Sequence, residues 1–468
     1  MTSPQAPAAP VLPVSIATMR EPVSRGSTRS LAWRLEQLDR LKALLEAAEK
    51  PLLEALALDL GKPPVEASYE LIGVSQELQV ARRQLQRWMR PRAVGLPIWA
   101  WPGSAMLRPE PLGCVLIIGP WNYPFQLCLI PLVSALAAGN TAVLKPSEHT
   151  PHTAAVIKTL VRQHFPAETV QVVEGDGSIA ARLLQERFDH IFFTGGARVG
   201  RLVLAAAAPH LTPVTLELGG KSPAIVLDDA DIATSARRLA WGKSLNAGQT
   251  CIAPDHLLVT PAQRQPLVES IAQAWRDFLG ADPLASDDLA CIVNAAQFER
   301  LETLLAGARQ RGQVLVGGRS DPARRRIEPT LLAVDDPDHD PLMQEELFGP
   351  LLPLIVVANL QQALERVRRG SKPLTLYLFG GDHRARQQLL DQTSSGSVSF
   401  NDVVLQGGLP QLPFGGVGES GMGTYHGEAG FQTFSHRRSV LQRSFRLDLP
   451  LRYPPYAGKL GLIQRLLG

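Results

Sequence analysis

The stretch Asn246-Ala247-Gly248-Gln249-Thr250-Cys251-Ile252-Ala253-Pro254 sets a cysteine in a polar turn. It follows an amphipathic run, Ala240 to Leu245, and precedes a strand-like run, His256 to Thr260. Cys114 and Cys128 lie instead inside apolar runs, where structural cysteines sit. A thiol on a reachable turn is placed as a nucleophile; taken alone, a loop cysteine with no task is the commoner reading. Upstream, Leu216-Glu217-Leu218-Gly219-Gly220-Lys221 ends a strand on two glycines. They permit a tight turn that presents the Glu217 carboxylate. A glutamate in an apolar cleft has a raised pKa and can serve as a general base; the plainer reading is a surface carboxylate. Asn122, in the turn Gly119-Pro120-Trp121-Asn122, carries an amide able to donate to a developing oxyanion, or simply an Asx turn.

A second group of residues suits a nucleotide. Gly195 and Gly196 follow an apolar strand, and Gly200 falls in the first turn of the next helix, so backbone N–H groups can approach a pyrophosphate. The spacing is not the G-x-G-x-x-G fingerprint, and an ordinary strand-to-helix turn fits as well. Lys145 ends a strand and points off the sheet. Glu148 can accept ribose hydroxyls or merely begin the next helix. His149 and His152 have a ligand-like spacing but no second pair nearby, and no C-x-x-C occurs, so no metal site is expected.

The elements that must hold these residues alternate. From Cys114 the chain reads strand, helix, strand: Cys114 to Ile118, Pro124 to Ala138, Thr141 to Lys145, Thr153 to His164, Val170 to Glu174, Ser178 to Glu186, His190 to Thr194, Val199 to Ala207, Val214 to Glu217. This α/β alternation predicts a doubly wound, mostly parallel sheet, with ligands at the carboxyl ends of its strands. The polar and glycine-rich segments fall at those ends. A second α/β run through Pro223 to Leu227, Leu351 to Val357 and Leu374 to Phe379 predicts a separate domain carrying Cys251. Residues 1–28 read as a flexible leader. Leu31, Leu35, Leu38, Leu41 and Leu45 mark an amphipathic helix, Pro51 starts another, and Tyr69 to Trp88 a third. Pro91 to Pro111 reads as an extended arm. The divisions are therefore 29–90 with 112–220, then 221–396, then an arm of 91–111 with 397–445, and a tail over 446–468.

Composition narrows the partners. At 468 residues, 45% hydrophobic and 19% charged, the chain is globular, and a net charge of +3 gives no reason to expect nucleic acid. Four widely spaced cysteines argue against a disulfide scaffold and fit the reducing cytoplasm. The longest apolar run, Leu127 to Ala138, is too short to span a bilayer, and no integral membrane segment is expected. The segment Lys459 to Leu467 is weakly amphipathic and reads as a packed tail, with contact to a membrane surface as the alternative.

Taken together, the motifs resemble the aldehyde dehydrogenase superfamily over about residues 30 to 445. They are Pro120-Trp121-Asn122-Tyr123-Pro124, Leu144-Lys145-Pro146-Ser147-Glu148, Phe193-Thr194-Gly195 through Gly200, Leu216 to Lys221, Gly248-Gln249-Thr250-Cys251, Glu345-Glu346-Leu347-Phe348-Gly349-Pro350 and Pro413-Phe414-Gly415-Gly416. The class 3 branch, with its bacterial coniferyl-aldehyde-type enzymes, is the most similar in Asn401-Asp402-Val403, Gly421 to Gly427 and Arg452-Tyr453-Pro454-Pro455. The resemblance implies Cys251 as nucleophile, Asn122 and the Cys251 N–H around the oxyanion, and Glu217 as the base that activates water. It implies NAD as cofactor, with NADP also accepted, held by Trp121, Lys145, Glu148, Gly195, Gly196, Gly200, Glu346 and Phe348. Tyr123 and Phe414 would line the substrate tunnel. The substrate would be an aromatic or medium- to long-chain aldehyde, and the assembly a homodimer joined through a small β oligomerisation arm. Gly196 stands where the family usually has serine, and Arg198 is unusual in its turn. A CoA-acylating relative and a non-catalytic member are the alternatives. The intact Glu217 argues against the first, and the presence of Cys251, Glu217 and Asn122 against the second.

Overall fold

The structure, a computed structural model, describes residues 14–448 and 450–467. Two sheets organise the chain. The first has six strands in the order Gly421–Met422, Val214–Glu217, His190–Thr194, Cys114–Ile118, Thr141–Lys145, Val170–Val172. All are parallel except Gly421–Met422, which runs antiparallel beside Glu217. Cys114–Ile118 and Thr141–Lys145 are buried throughout, as continuous apolar runs in a parallel sheet covered on both faces must be. The helix Gln126–Ala138, apolar on every side, packs beneath them.

The second sheet has seven strands: Val314–Val316, Thr330–Ala333, Leu351–Val356, His256–Val259, Pro223–Val226, Thr375–Phe379, Ser397–Phe400. Only Val314–Val316 is antiparallel. A third, antiparallel sheet joins Arg92–Val94, Gly103–Pro111 and Ser435–Arg443 into an arm.

Several expectations are corrected. Ser397–Phe400 belongs to the seven-stranded sheet rather than to the arm, because its residues pair in parallel with Thr375 to Leu378. The expected leader contains a helix, Ile16–Ser24, capped by the Ser15 hydroxyl. Its Ile16 and Met19 are buried against Cys114, Leu116 and Val143, and Thr141 Oγ1 donates to the Met19 carbonyl at 2.7 Å. The first thirteen residues of that leader lie outside the described residues. Pro51 starts no new helix: Leu31–Leu60 runs through it, since burial of Ala48, Leu52, Ala55 and Leu56 outweighs the one backbone hydrogen bond lost. The C-terminal helix Leu460–Leu467 is not packed down, for Leu460 and Leu462 are exposed.

Candidate active site

The strand ends of the six-stranded sheet lie level: Ile118 pairs with Lys145 and Thr194 with Glu217. Around that edge the chemistry-bearing residues gather. Glu217 is 2% exposed, and neither carboxylate oxygen has a hydrogen-bond partner among the described residues. Burial drives its carboxyl well above the usual carboxylate range. Cys251 is half-buried and packs against the cluster that includes Ile252, Phe414 and Tyr425. Burial, then the charges of Glu346 and Glu217, push its thiol up to about 12, while the N–H groups of Cys251 and Ile252 pull the other way. Those same two N–H groups point at the sulfur.

The turn leading to Cys251 has an unusual backbone. Asn246, Ala247 and Gly248 all adopt left-handed conformations, with φ of 50°, 52° and 72°. Gly248 is required there: a Cβ would lie 2.3 Å from the Gly349 carbonyl. The Gln249 side chain closes the turn, donating to Asn246 O at 3.0 Å and Cys291 O at 2.9 Å and accepting from Val293 N at 3.0 Å. Asn122 is buried, and its amide donates to the Gln249 carbonyl at 3.1 Å, two residues before the cysteine. One amide hydrogen is thus engaged and a second remains to donate. The Tyr123 hydroxyl lies 2.7 Å from Thr250 Oγ1.

Glu346 reaches the site over Gly219, where a Cβ would lie 2.0 Å from its carboxylate. Its segment is locked by Lys221, which donates to Asp255 Oδ2 at 2.5 Å, Leu342 O at 3.0 Å and Glu345 O at 2.9 Å. Asp255 in turn accepts from Leu347 N at 2.8 Å. Burial raises Glu346 to about 8, against the Gly220 N–H. Phe348 follows with φ of 47°, its ring edge-on to Trp121 at 5.2 Å. The expected tunnel residue Phe414 is buried beside Tyr425, with which it exchanges two backbone hydrogen bonds of 2.8 and 2.9 Å.

The nucleotide residues form a second group. Lys145 Nζ donates to Glu148 Oε2 at 2.5 Å. Burial opposes it, but that hydrogen bond holds Glu148 below the usual carboxylate range. The helix Ala197–Ala207 begins at Gly196 with no side-chain cap, so its first N–H groups are free for a phosphate. A Cβ at Gly196 would meet nothing within 4 Å, while Gly200 is buried against Leu218. A dinucleotide fits this set: an uncapped helix end for pyrophosphate, a lysine–glutamate pair for a ribose, and Glu346 and Phe348 toward the cysteine. Arg198 is exposed. Among the described residues no His, Cys, Asp or Glu group could hold a metal ion, and His152 is paired with Asp59 at 2.7 Å.

A family model described as the aldehyde dehydrogenase family matches residues 14–440. The chain belongs to the aldehyde dehydrogenase family. It is similar to the "Aldehyde dehydrogenase, dimeric NADP-preferring" of Rattus norvegicus, at 42% identity over 95% of this chain and 98% of that one. It is also similar to the "4,4'-diaponeurosporen-aldehyde dehydrogenase" of Staphylococcus aureus, at 43% identity over 93% of this chain and 95% of the relative. Among solved structures, the substrate-bound state of Staphylococcus aureus AldH superposes with a TM-score of 0.93 at 41% identity, covering 97% of this chain and 98% of that one. The fold is that of the family, and the protein is an oxidoreductase that oxidises aldehydes with NAD or NADP.

In this aldehyde dehydrogenase some contributors escaped the sequence reading. Tyr425 is buried, stacks on His426 at 4.3 Å, and is near enough to Glu217 and Cys251 to feel both charges. Lys243 is buried in the helix leading to the cysteine, and burial lowers it to about 8. Lys62, Glu66 and Glu70 reach the site from the junction of Leu31–Leu60 and Pro64–Trp88, to which the sequence reading gave no chemical role. Glu66 and Glu70, four residues apart, share one face of the helix Pro64–Trp88, a signal the sequence offered; Lys62 lies before that helix and meets its partners only in the fold.

Proposed function

We propose that Cys251 carries the oxidation through covalent intermediates, with Glu217 as the hydrolytic base and Asn122 as an oxyanion donor. One observation carries this reading: a buried carboxylate with both oxygens unpartnered, near enough to a half-buried thiol to raise its pKa. The thiolate adds to the aldehyde carbon, and the oxygen takes the charge beneath the Asn122 amide and the Cys251 N–H. A nicotinamide held by Lys145, Glu148, Glu346 and Phe348 would supply the hydride acceptor, and loss of hydride from that carbon would leave a thioester on Cys251. Glu217, whose proton affinity burial raises, takes a proton from water. The hydroxide attacks the thioester, the C–S bond breaks, and the carboxylic acid leaves.

Trp121, Ile252, Phe414 and Tyr425 pack in the apolar cluster that Cys251 joins, and with Tyr123 they would line a tunnel that favours aromatic or medium- to long-chain aldehydes. The long polyene aldehyde in the Staphylococcus aureus relative's name agrees. Glu148, kept ionised by Lys145, favours NAD over the 2′-phosphate of NADP, which the relative from rat prefers by name. We assign a homodimer built on the exposed arm, in line with the same relative's name, and the cytoplasm, in line with four free cysteines.

The test is a steady-state screen of purified protein with NAD and NADP against aldehydes of increasing length, following reduced nucleotide and acid. Turnover without CoA, lost in Cys251→Ala with the fold intact, is the expected result. Acid formed only when CoA is supplied and its ester hydrolysed would replace the hydrolytic reading with the acylating one.

A further inference from the structure

Leu31–Leu60 and Pro64–Trp88 meet at a junction that touches both halves of the site. Lys62 and Glu70 form an ion pair at 2.6 Å with side chains 1% and 0% exposed. Burying such a pair does little for stability on balance, so its position calls for a reason. All three ammonium directions of Lys62 are used: Glu70 Oε1, the Asn122 backbone carbonyl at 2.8 Å, and the Tyr123 ring face at 4.0 Å. The other Glu70 oxygen accepts from Phe125 N at 3.0 Å and Gln126 N at 3.1 Å, fixing the chain just beyond Asn122.

The same junction grips the nucleophile turn. Glu66 Oε2 accepts from Asn246 N at 2.8 Å. Asn246 Nδ2 returns to the Asn122 carbonyl at 2.9 Å, so that one oxygen is held from both sides. Cys291 N donates to Leu60 O at 2.7 Å, and the Cys291 carbonyl accepts from Gln249. Asn122 belongs to the six-stranded half and Cys251 to the seven-stranded half. The two segments meet directly, through the Asn122 amide on Gln249 O and the Asn246 amide on Asn122 O, and the junction grips both sides of that contact.

We infer that the Leu60–Glu70 junction is a bracket that sets Asn122 against Cys251 across the two halves, with Lys62 as its chief positioning residue. The inference rests on the roles proposed for Asn122 and Cys251. Lys62 never meets substrate. It clamps the backbone whose side chain does, and an ångström of drift in such a group costs about 100-fold in rate.

The test uses Lys62→Met/Glu70→Gln in the full-length protein. This removes both charges together and keeps an acceptor for Phe125 and Gln126, so no unpaired charge is left buried. kcat should fall about 10- to 100-fold while KM for NAD stays within about twofold. A cycle with Asn122→Ala separates positioning from general loosening. Alone, Asn122→Ala should cost about 100-fold or more; in the Lys62→Met/Glu70→Gln background it should cost less than about tenfold further. Multiplicative losses, or a kcat within about twofold of wild type, overturn the bracket. Should that variant fail to fold, Glu66→Leu probes the other limb. It removes one half-buried acceptor and should slow turnover about tenfold with KM for NAD unmoved; unchanged kcat counts against the inference. A crystal structure of the folded variant decides independently of activity. Displacement of the Asn122 amide from the Gln249 carbonyl supports the bracket, and an unmoved amide refutes it even if the wild type oxidises no aldehyde.

Discussion

Cys251 and Glu217 show how one burial serves two steps. A thiol raised to about 12 is protonated at rest, and the like charges of Glu346 and Glu217 help to keep it so. Removing one of those charges lowers the thiol pKa. Glu346→Gln should therefore speed alkylation of Cys251 by iodoacetamide at pH 8, and equal or slower labelling would contradict the assignment. Glu217 is shifted in the same direction, since burial favours its protonated, neutral form. Its folded pKa lies above the unfolded value, so the folded state binds the extra proton. The penalty is absent below the ordinary carboxylate range and grows as pH rises toward the folded pKa. Glu217→Gln should thus flatten the decline of Tm with pH above about 4.3. The same variant should keep a burst of reduced nucleotide while kcat falls about 100- to 10,000-fold. An intact steady-state rate would remove Glu217 from hydrolysis.

At the scale of elements, the site depends on two close approaches. Gly219→Ala would press on the Glu346 carboxylate, a mobile end that can move aside. The expected outcome is about a tenfold weaker NAD affinity with stability changed by less than about 1 kcal/mol, read by nucleotide titration and thermal melting. Gly248→Ala meets backbone that cannot yield and needs φ of 72°. It should destabilise by about 2 kcal/mol or more and silence the enzyme, as denaturant unfolding and turnover will show. Elements of this kind were legible where local pattern decides them. The strands Cys114–Ile118, Thr141–Lys145, His190–Thr194 and Val214–Glu217 are apolar runs ended by polar turns, and each lies where the pattern put it. Pro51 misled because the rule for proline is local while the burial that keeps its helix intact is tertiary. Lys62 was unreadable because Glu70 and Asn122 become its partners only when the junction folds against the sheet.

For the molecule as a whole, the arm exposes Ile98, Trp99 and Trp101, and Leu441 on its strand Ser435–Arg443. Leu441→Lys should shift the proposed dimer toward monomer in light scattering, and an unchanged mass would move the contact elsewhere. The helix at Ile16–Ser24 has its own lesson: in an Ala/Pro-rich context its three buried side chains were too few to stand out as periodicity. The return of the chain has the longest reach. Gly421 pairs with Glu217, and Leu218 N donates to Ser420 O at 3.1 Å, so the strand bearing the base is flanked by residues some two hundred positions later in the chain. On the ribosome, every earlier strand of that sheet can settle while Glu217 still faces water. The environment that raises the proton affinity of Glu217 is complete only once Ser420 to Met422 have been made and paired, so a nascent chain halted before Ser420 lacks the strand beside the proposed base.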